Sequence, residues 1–144
     1  MDKQFDFWQK WLIYANIMTI GVGLIVAFWG NGIFLEIHNH YSRALIFSGQ
    51  PFTLEAMHLK NWLFGIIGGT IVGFHVLMLF IIIHPFKNRE RWSYYSLWAG
   101  LLSWFVIDSS VSWFYGAIHN IILINLVALV LIGVPLVMTR KYFS

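Results

Sequence analysis

Residues 61–84 read NWLFGIIGGTIVGFHVLMLFIIIH, twenty-four positions without a single Lys, Arg, Asp or Glu. A helix crossing the hydrocarbon of a bilayer needs about 20 mainly apolar residues, so this stretch predicts a membrane span. Reading outward from it, residues 11–30, 93–115 and 119–139 are three further runs of the same kind. None of the four contains Lys or Arg, and Asp108 is the only acid inside any of them. The predicted fold class is therefore all-α, a single four-helix integral membrane bundle with antiparallel neighbours.

Composition agrees with that reading. Of 144 residues 59% are hydrophobic and 10% charged, and the mean hydropathy is +0.72. Soluble domains carry about 25% charged residues, and a globule this small cannot hide so much apolar surface from water. Soluble enzymes, nucleic-acid modules and disordered chains are excluded. The isoelectric point of about 9.3 comes from only nine Lys and Arg, whose positions follow topology, so no nucleic-acid partner is expected. Cysteine is absent, which removes disulfides, thiolate metal sites and cysteine nucleophiles.

Lys3 and Lys10 precede the first run as they would in a signal peptide. The run is too long for a signal sequence and no small-x-small cleavage site follows it, so a retained helix is expected. With the N-terminus inside, one face collects Lys3, Lys10, Lys87, Arg89, Arg91, Arg140 and Lys141, while the other keeps only Arg43 and Lys60. Basic residues favour the cytoplasmic side, which predicts both termini in the cytoplasm. Trp8, Trp11, Phe86, Trp92, Tyr94 and Tyr142 then form an inner aromatic belt, with Trp29, Trp62, Trp113 and Tyr115 as the outer one.

The connections differ. Only Gly116, Ala117 and Ile118 join the third and fourth spans, which demands a tight hairpin. The outer segment 31–60 is long and semi-apolar, so it is expected to be partly helical and to lie in the interface. Ser48-Gly49-Gln50-Pro51 reads as a turn, and Thr53 reads as an N-cap from which the second span rises early. Small residues let helices approach in lipid. Gly65, Gly69 and Gly73 on the second span, with Gly68 beside them, and Ala15, Thr19, Gly23 and Ala27 on the first form two such stripes, predicting close packing of these helices or a homo-oligomer contact. Pro135 predicts a kink.

Asp108 is the residue that needs explaining, because a charged side chain within a span costs about 2–3 kcal/mol or more unless it is paired. In a hairpin centred near Ala117 the position level with Asp108 is Asn125. Trp104 lies one turn earlier on the same face, with its indole N–H within reach of the carboxyl. Ser109, Ser110 and Ser112 follow, and His119 and Asn120 sit just above. The predicted ligand-binding set is thus Asp108, Asn125, Trp104, Ser112, His119 and Asn120, forming an outward-facing polar pocket. A hydrogen-bonded Asp–Asn clasp is the structural alternative. Proton conduction is disfavoured, since no chain of titratable groups leads to the inner face. His75, near mid-span, reads as a packed histidine bonded to a backbone carbonyl.

A second constellation lies in the outer segment. Glu36, His38 and His40 are close in sequence, and Glu55-x-x-His58 has helical spacing of the kind that binds metal when two copies face each other. Only one copy is present, so Glu36, His40, Glu55 and His58 form a weak metal alternative, and no cofactor is predicted. Zinc-protease, phosphate-loop and nucleophile-elbow motifs are missing.

Trp62, Gly65 and Gly73 through Pro85-Phe86, Arg89-Glu90-Arg91-Trp92, Trp104-Phe105-Val106-Ile107-Asp108 and Thr139-Arg140-Lys141-Tyr142-Phe143 carry a resemblance. The chain resembles a group of small bacterial four-helix integral membrane proteins over about its last two thirds. That resemblance implies a bacterial inner (cytoplasmic) membrane location and brings no activity, cofactor or site residue with it.

The expected function is a multipass protein binding a lipid, a hydrophobic small molecule or a partner protein through the pocket around Asp108. The alternatives are an accessory subunit of a larger membrane complex, or a membrane-embedded enzyme acting on lipid with Asp108 or the Glu55–His58 pair. Membrane lipids, a membrane-protein partner or a second copy of the chain are the expected partners.

Overall fold

The computed structural model describes residues 2–143, and the chain is all-helical, 86% helix with no strand among those residues. Five helices follow in order: α1 (Lys3–Phe28), α2 (Glu36–Ile46), α3 (Leu54–Phe86), α4 (Arg91–Phe114) and α5 (Ile118–Tyr142). Four of them, α1, α3, α4 and α5, are long and apolar enough to cross a membrane by length and composition. Each contains one of the four runs seen in the sequence.

Helix ends extend past the apolar runs wherever a cap is available. α1 begins eight positions before residue 11 because the Asp2 carboxylate accepts from the Gln4 backbone N–H at 3.0 Å, satisfying a donor at the helix start. α3 begins at Leu54, as the Thr53 signal predicts, and the Thr53 hydroxyl accepts from Ala56 N–H at 3.2 Å. The turn before it is real: Ser48 and Gly49 both take left-handed backbone, with φ of 51° and 78°, and α2 stops there. A left-handed Gly116, φ 72°, closes the α4–α5 hairpin. The segment 31–60 is partly helical, as expected, with a 3₁₀ turn at Ile33–Leu35 leading into α2.

α1 and α3 are the most closely joined pair. Gln9 Nε2 donates to the Ile82 carbonyl at 3.1 Å, and Asn16 Oδ1 lies 2.7 Å from His75 Nδ1. Farther along, a Cβ built on Gly68 would overlap the Gly23 carbonyl and the Ala27 backbone, and would lie 2.7 Å from the Ala27 Cβ. The close approach therefore uses Gly23 and Ala27, as the first stripe predicts. On α3 it is tightest at Gly68, with Gly65 in looser contact, its Cβ position 3.9 Å from the Ala27 carbonyl oxygen. Gly69 and Gly73 face open space.

The core gathers at the end where both chain termini lie. Phe5, Leu12, Ile82, Phe86, Leu97, Leu101, Ile132, Leu136 and Phe143 are all buried there. Phe86 and Phe143 have ring centroids 4.7 Å apart, and Phe143 stacks on Tyr94 at 5.0 Å. The termini are tied together by Tyr142 Oη donating to Asp2 Oδ2 at 2.7 Å and Lys141 Nζ donating to Gln4 Oε1 at 2.8 Å. Pro135 sits inside α5 and is buried.

Candidate functional site

Asp108 lies on α4, six residues before Phe114, which is about 9 Å from the helix end at 1.5 Å per residue. Three donors converge on its Oδ1: Asn120 Nδ2 at 2.8 Å, Asn125 Nδ2 at 2.8 Å and Ser112 Oγ at 3.2 Å. Asn120 Nδ2 also reaches Ser112 Oγ at 2.8 Å, and Asn125 Nδ2 reaches Ser109 Oγ at 3.0 Å. Asn125 is fully buried and Ser112 nearly so. The predicted level of Asn125 opposite Asp108 is what the coordinates hold.

A local irregularity lets α5 present both asparagines. Residues Ile121–Asn125 form a π-helical turn. On a regular α-helix each residue advances about 100°, so positions five apart diverge by about 140°. In a turn closed by i→i+5 bonds, positions five apart lie nearly above one another. Asn120 and Asn125, at the two ends of this turn, thus both aim at one oxygen. Such bulges recur at functional sites.

The second carboxylate oxygen, Oδ2, makes no hydrogen bond among the described residues. Asp108 itself is half-buried and lines a cleft of about 450 Å³ with Trp104, Ile107, Val111, Ser112 and Asn120. One oxygen is thus saturated by neutral donors, while the other belongs to a residue opening on a mostly apolar space.

Two residues of the predicted set behave differently. Trp104 walls the cleft but does not donate to Asp108, whose donors are Ser112, Asn120 and Asn125. His119 is turned away from Asp108 altogether. Its ring stacks on Tyr41 of α2, with centroids 5.1 Å apart and planes 19° apart, and its centroid lies 5.1 Å from that of His38. The residues His119 and Asn120 are adjacent on a helix and so point to different sides, and only Asn120 can face α4.

The outer Glu and His residues do not converge. Glu36 is engaged by Arg43, with Nη2 to Oε1 at 2.8 Å, and that hydrogen bond and charge hold its carboxyl below the usual carboxylate range. His40 is exposed beside Tyr41, and Glu55 and His58 are exposed on the first turns of α3. Among the described residues no three His, Asp or Glu side chains gather where they could hold one metal ion.

Two polar pairings were not legible in advance. Asn16 and His75, both buried, bond side chain to side chain, whereas the sequence suggested a backbone partner for His75. Asn16 Nδ2 donates to the Leu12 carbonyl at 2.8 Å, which leaves its Oδ1 to accept from His75 Nδ1–H. Lys60 donates to the Gly30 carbonyl at 3.1 Å, to Asn39 Oδ1 at 3.2 Å and to Asn31 Oδ1. Asn39 Nδ2 donates to the same Gly30 carbonyl at 3.0 Å. This knot fastens α2 over the ends of α1 and α3. Comparison with protein-family models, curated proteins and solved structures finds no match to this chain.

Proposed function

We propose that this chain is a non-enzymatic protein of the bacterial cytoplasmic membrane that binds a lipid or hydrophobic small molecule in the cleft beside Asp108. In this reading the bundle is antiparallel with both termini cytoplasmic, and α2 caps the outer end. The distribution of basic residues supports that orientation. The antiparallel packing is supported by the pairing of Gln9 with Ile82 and of Gly23 with Gly68, in which rising numbers on α1 meet falling numbers on α3.

The observation that carries the binding role is the division of labour at Asp108. An acid in a span is usually paired or faces a cavity. A simple clasp between α4 and α5 uses the carboxylate to join helices and leaves no cavity. Here Oδ1 accepts all three of the carboxylate's hydrogen bonds, while the residue also lines a cleft of about 450 Å³, within the size range of small-molecule sites. Apolar walls from Ile107 and Val111 suit a hydrocarbon body.

Photolabelling in nanodiscs tests this. An alkyl alcohol bearing a diazirine should label Trp104 and Val111 more heavily than Val106, which is exposed on the same helix. Val111→Trp, which fills the cleft, should abolish the excess. Equal labelling of Val106 and Val111 in the unaltered protein would remove the basis of the proposal.

A further inference from the structure

We infer that the occupant of the Asp108 cleft is a lipophilic organic ammonium, whose cationic head pairs with Asp108 Oδ2 against the Trp104 indole and whose apolar body lies along Ile107 and Val111. This inference rests on the cleft-binding reading above and names the chemistry of the ligand.

The argument starts from charge. A carboxylate inside a span calls for an opposite charge, yet every partner of Asp108 is a neutral amide or hydroxyl. The ion pair recorded among the described residues is Arg43 with Glu36, on α2. Five of the basic residues, Lys87, Arg89, Arg91, Arg140 and Lys141, lie on the 87–91 loop and the C-terminal 140–141 pair, at the other end of α4 and α5. Among the described residues no cationic side chain is hydrogen-bonded to or ion-paired with the acid, so charge complementarity selects a cationic ligand.

The walls narrow the class further. Trp104 stands one helical turn from Asp108 in the same cleft, and an indole face is the best aromatic partner for a cation. An ammonium seated between carboxylate and indole satisfies both. An anion would meet the carboxylate, and a neutral polar head would gain nothing from Trp104. Asn120 and Ser112 are already spent on Oδ1, which leaves Oδ2 as the acceptor for the head group. At about 9 Å from the end of α4, the site is deep for a phospholipid head and suits a small amphiphile that partitions into the hydrocarbon edge.

Three diazirine probes with one common alkyl chain separate the possibilities in nanodiscs: a primary alkylammonium, the matching alcohol, and a phosphatidylethanolamine. The ammonium probe should label Val111 about tenfold more than the alcohol, the gain expected of one charge-assisted contact. Asp108→Asn should bring the two probes to within about twofold. Because the Asn amide oxygen still accepts from the same three donors, this variant should keep its fold. Trp104→Leu touches none of the hydrogen bonds and should lower the ratio of ammonium to alcohol labelling at Val111 about threefold, which keeps the test open if Asp108→Asn does not fold. Alcohol labelling without an ammonium preference overturns the inference while the cleft reading stands. Failure of all three probes overturns both. Preferential labelling by the phosphatidylethanolamine overturns the small amphiphile in favour of a lipid head group.

Discussion

The indole N–H of Trp11 on α1 donates to the backbone carbonyl of Leu131 on α5 at 3.0 Å. That carbonyl is available because of Pro135, four residues on, which has no N–H to close the helical bond. A side chain 120 residues away in sequence thus repairs the gap that proline leaves. Unsatisfied backbone groups are costly in a membrane, so Trp11→Phe should destabilise the fold by about 1–2 kcal/mol. Pro135→Ala restores the backbone donor, and in that background Trp11→Phe should cost roughly half as much or less. Denaturation in mixed micelles, run as a double-mutant cycle, reads this out. Equal costs in the two backgrounds would show that the bond does not serve the freed carbonyl.

Gly68 and Gly69 are neighbours with opposite surroundings. A methyl group on Gly68 would strike the α1 backbone, whereas one on Gly69 or Gly73 meets nothing within 4 Å. Gly68→Ala should therefore cost about 1–3 kcal/mol as overpacking, while Gly69→Ala and Gly73→Ala should stay within about 0.5 kcal/mol. Thermal unfolding in detergent measures all three. A damaging Gly73→Ala would instead point to a contact with another chain.

Span number, the Thr53 cap, the Ser48-Gly49 turn and the level of Asn125 opposite Asp108 were legible because each rests on local spacing or on the length of one short hairpin. The choice among the α3 glycines was not. Gly65, Gly68, Gly69 and Gly73 surround much of one helix, and only the partner decides which faces inward. Likewise, a π turn leaves no composition signal, so the convergence of Asn120 with Asn125 was expected on level alone and not on direction. Asn16 with His75, and Lys60 with Asn39, join residues far apart in sequence. Without the packing of α1, α2 and α3, nothing links those pairs.

Asp108 Oδ1 serves three donors, so the consequence of changing the residue depends on whether an acceptor remains. Asp108→Leu removes the acceptor that Ser112, Asn120 and Asn125 share, leaving only the Asn120–Ser112 and Asn125–Ser109 bonds, and should cost about 2–4 kcal/mol, whereas Asp108→Asn keeps an acceptor and should cost about 1 kcal/mol or less. Asn125→Leu removes one donor of three and should fall between them. Unfolding midpoints in one detergent rank the series. If Asp108→Asn proved as harmful as Asp108→Leu, the joining role assigned to Oδ1 would be wrong.

His38 should make the packing of α2 pH-sensitive. It lies on α2, outside the four long apolar helices, and its buried Nδ1 has no hydrogen-bond partner among the described residues. Facing it are His119 from α5, Lys60 and Phe64 from α3, and Tyr41 and Glu36 share its own helix. Burial first, then the charges of His119 and Lys60, push its pKa below the ordinary histidine value of 6.5. A released α2 would bind its proton near that ordinary value, so above pH 6.5 neither state is charged and the packed cap keeps its full stability. As pH falls through 6.5 the released state gains protons first, and the packed state loses ground until its own lower pKa is reached. Hydrogen exchange of amides 36–46, corrected for intrinsic rates, should therefore show less protection at pH 5 than at pH 7.5. His38→Phe, which keeps a ring beside Phe64 and removes the titration, should flatten that difference, and an undiminished pH effect in this variant would assign the sensitivity to His119 instead.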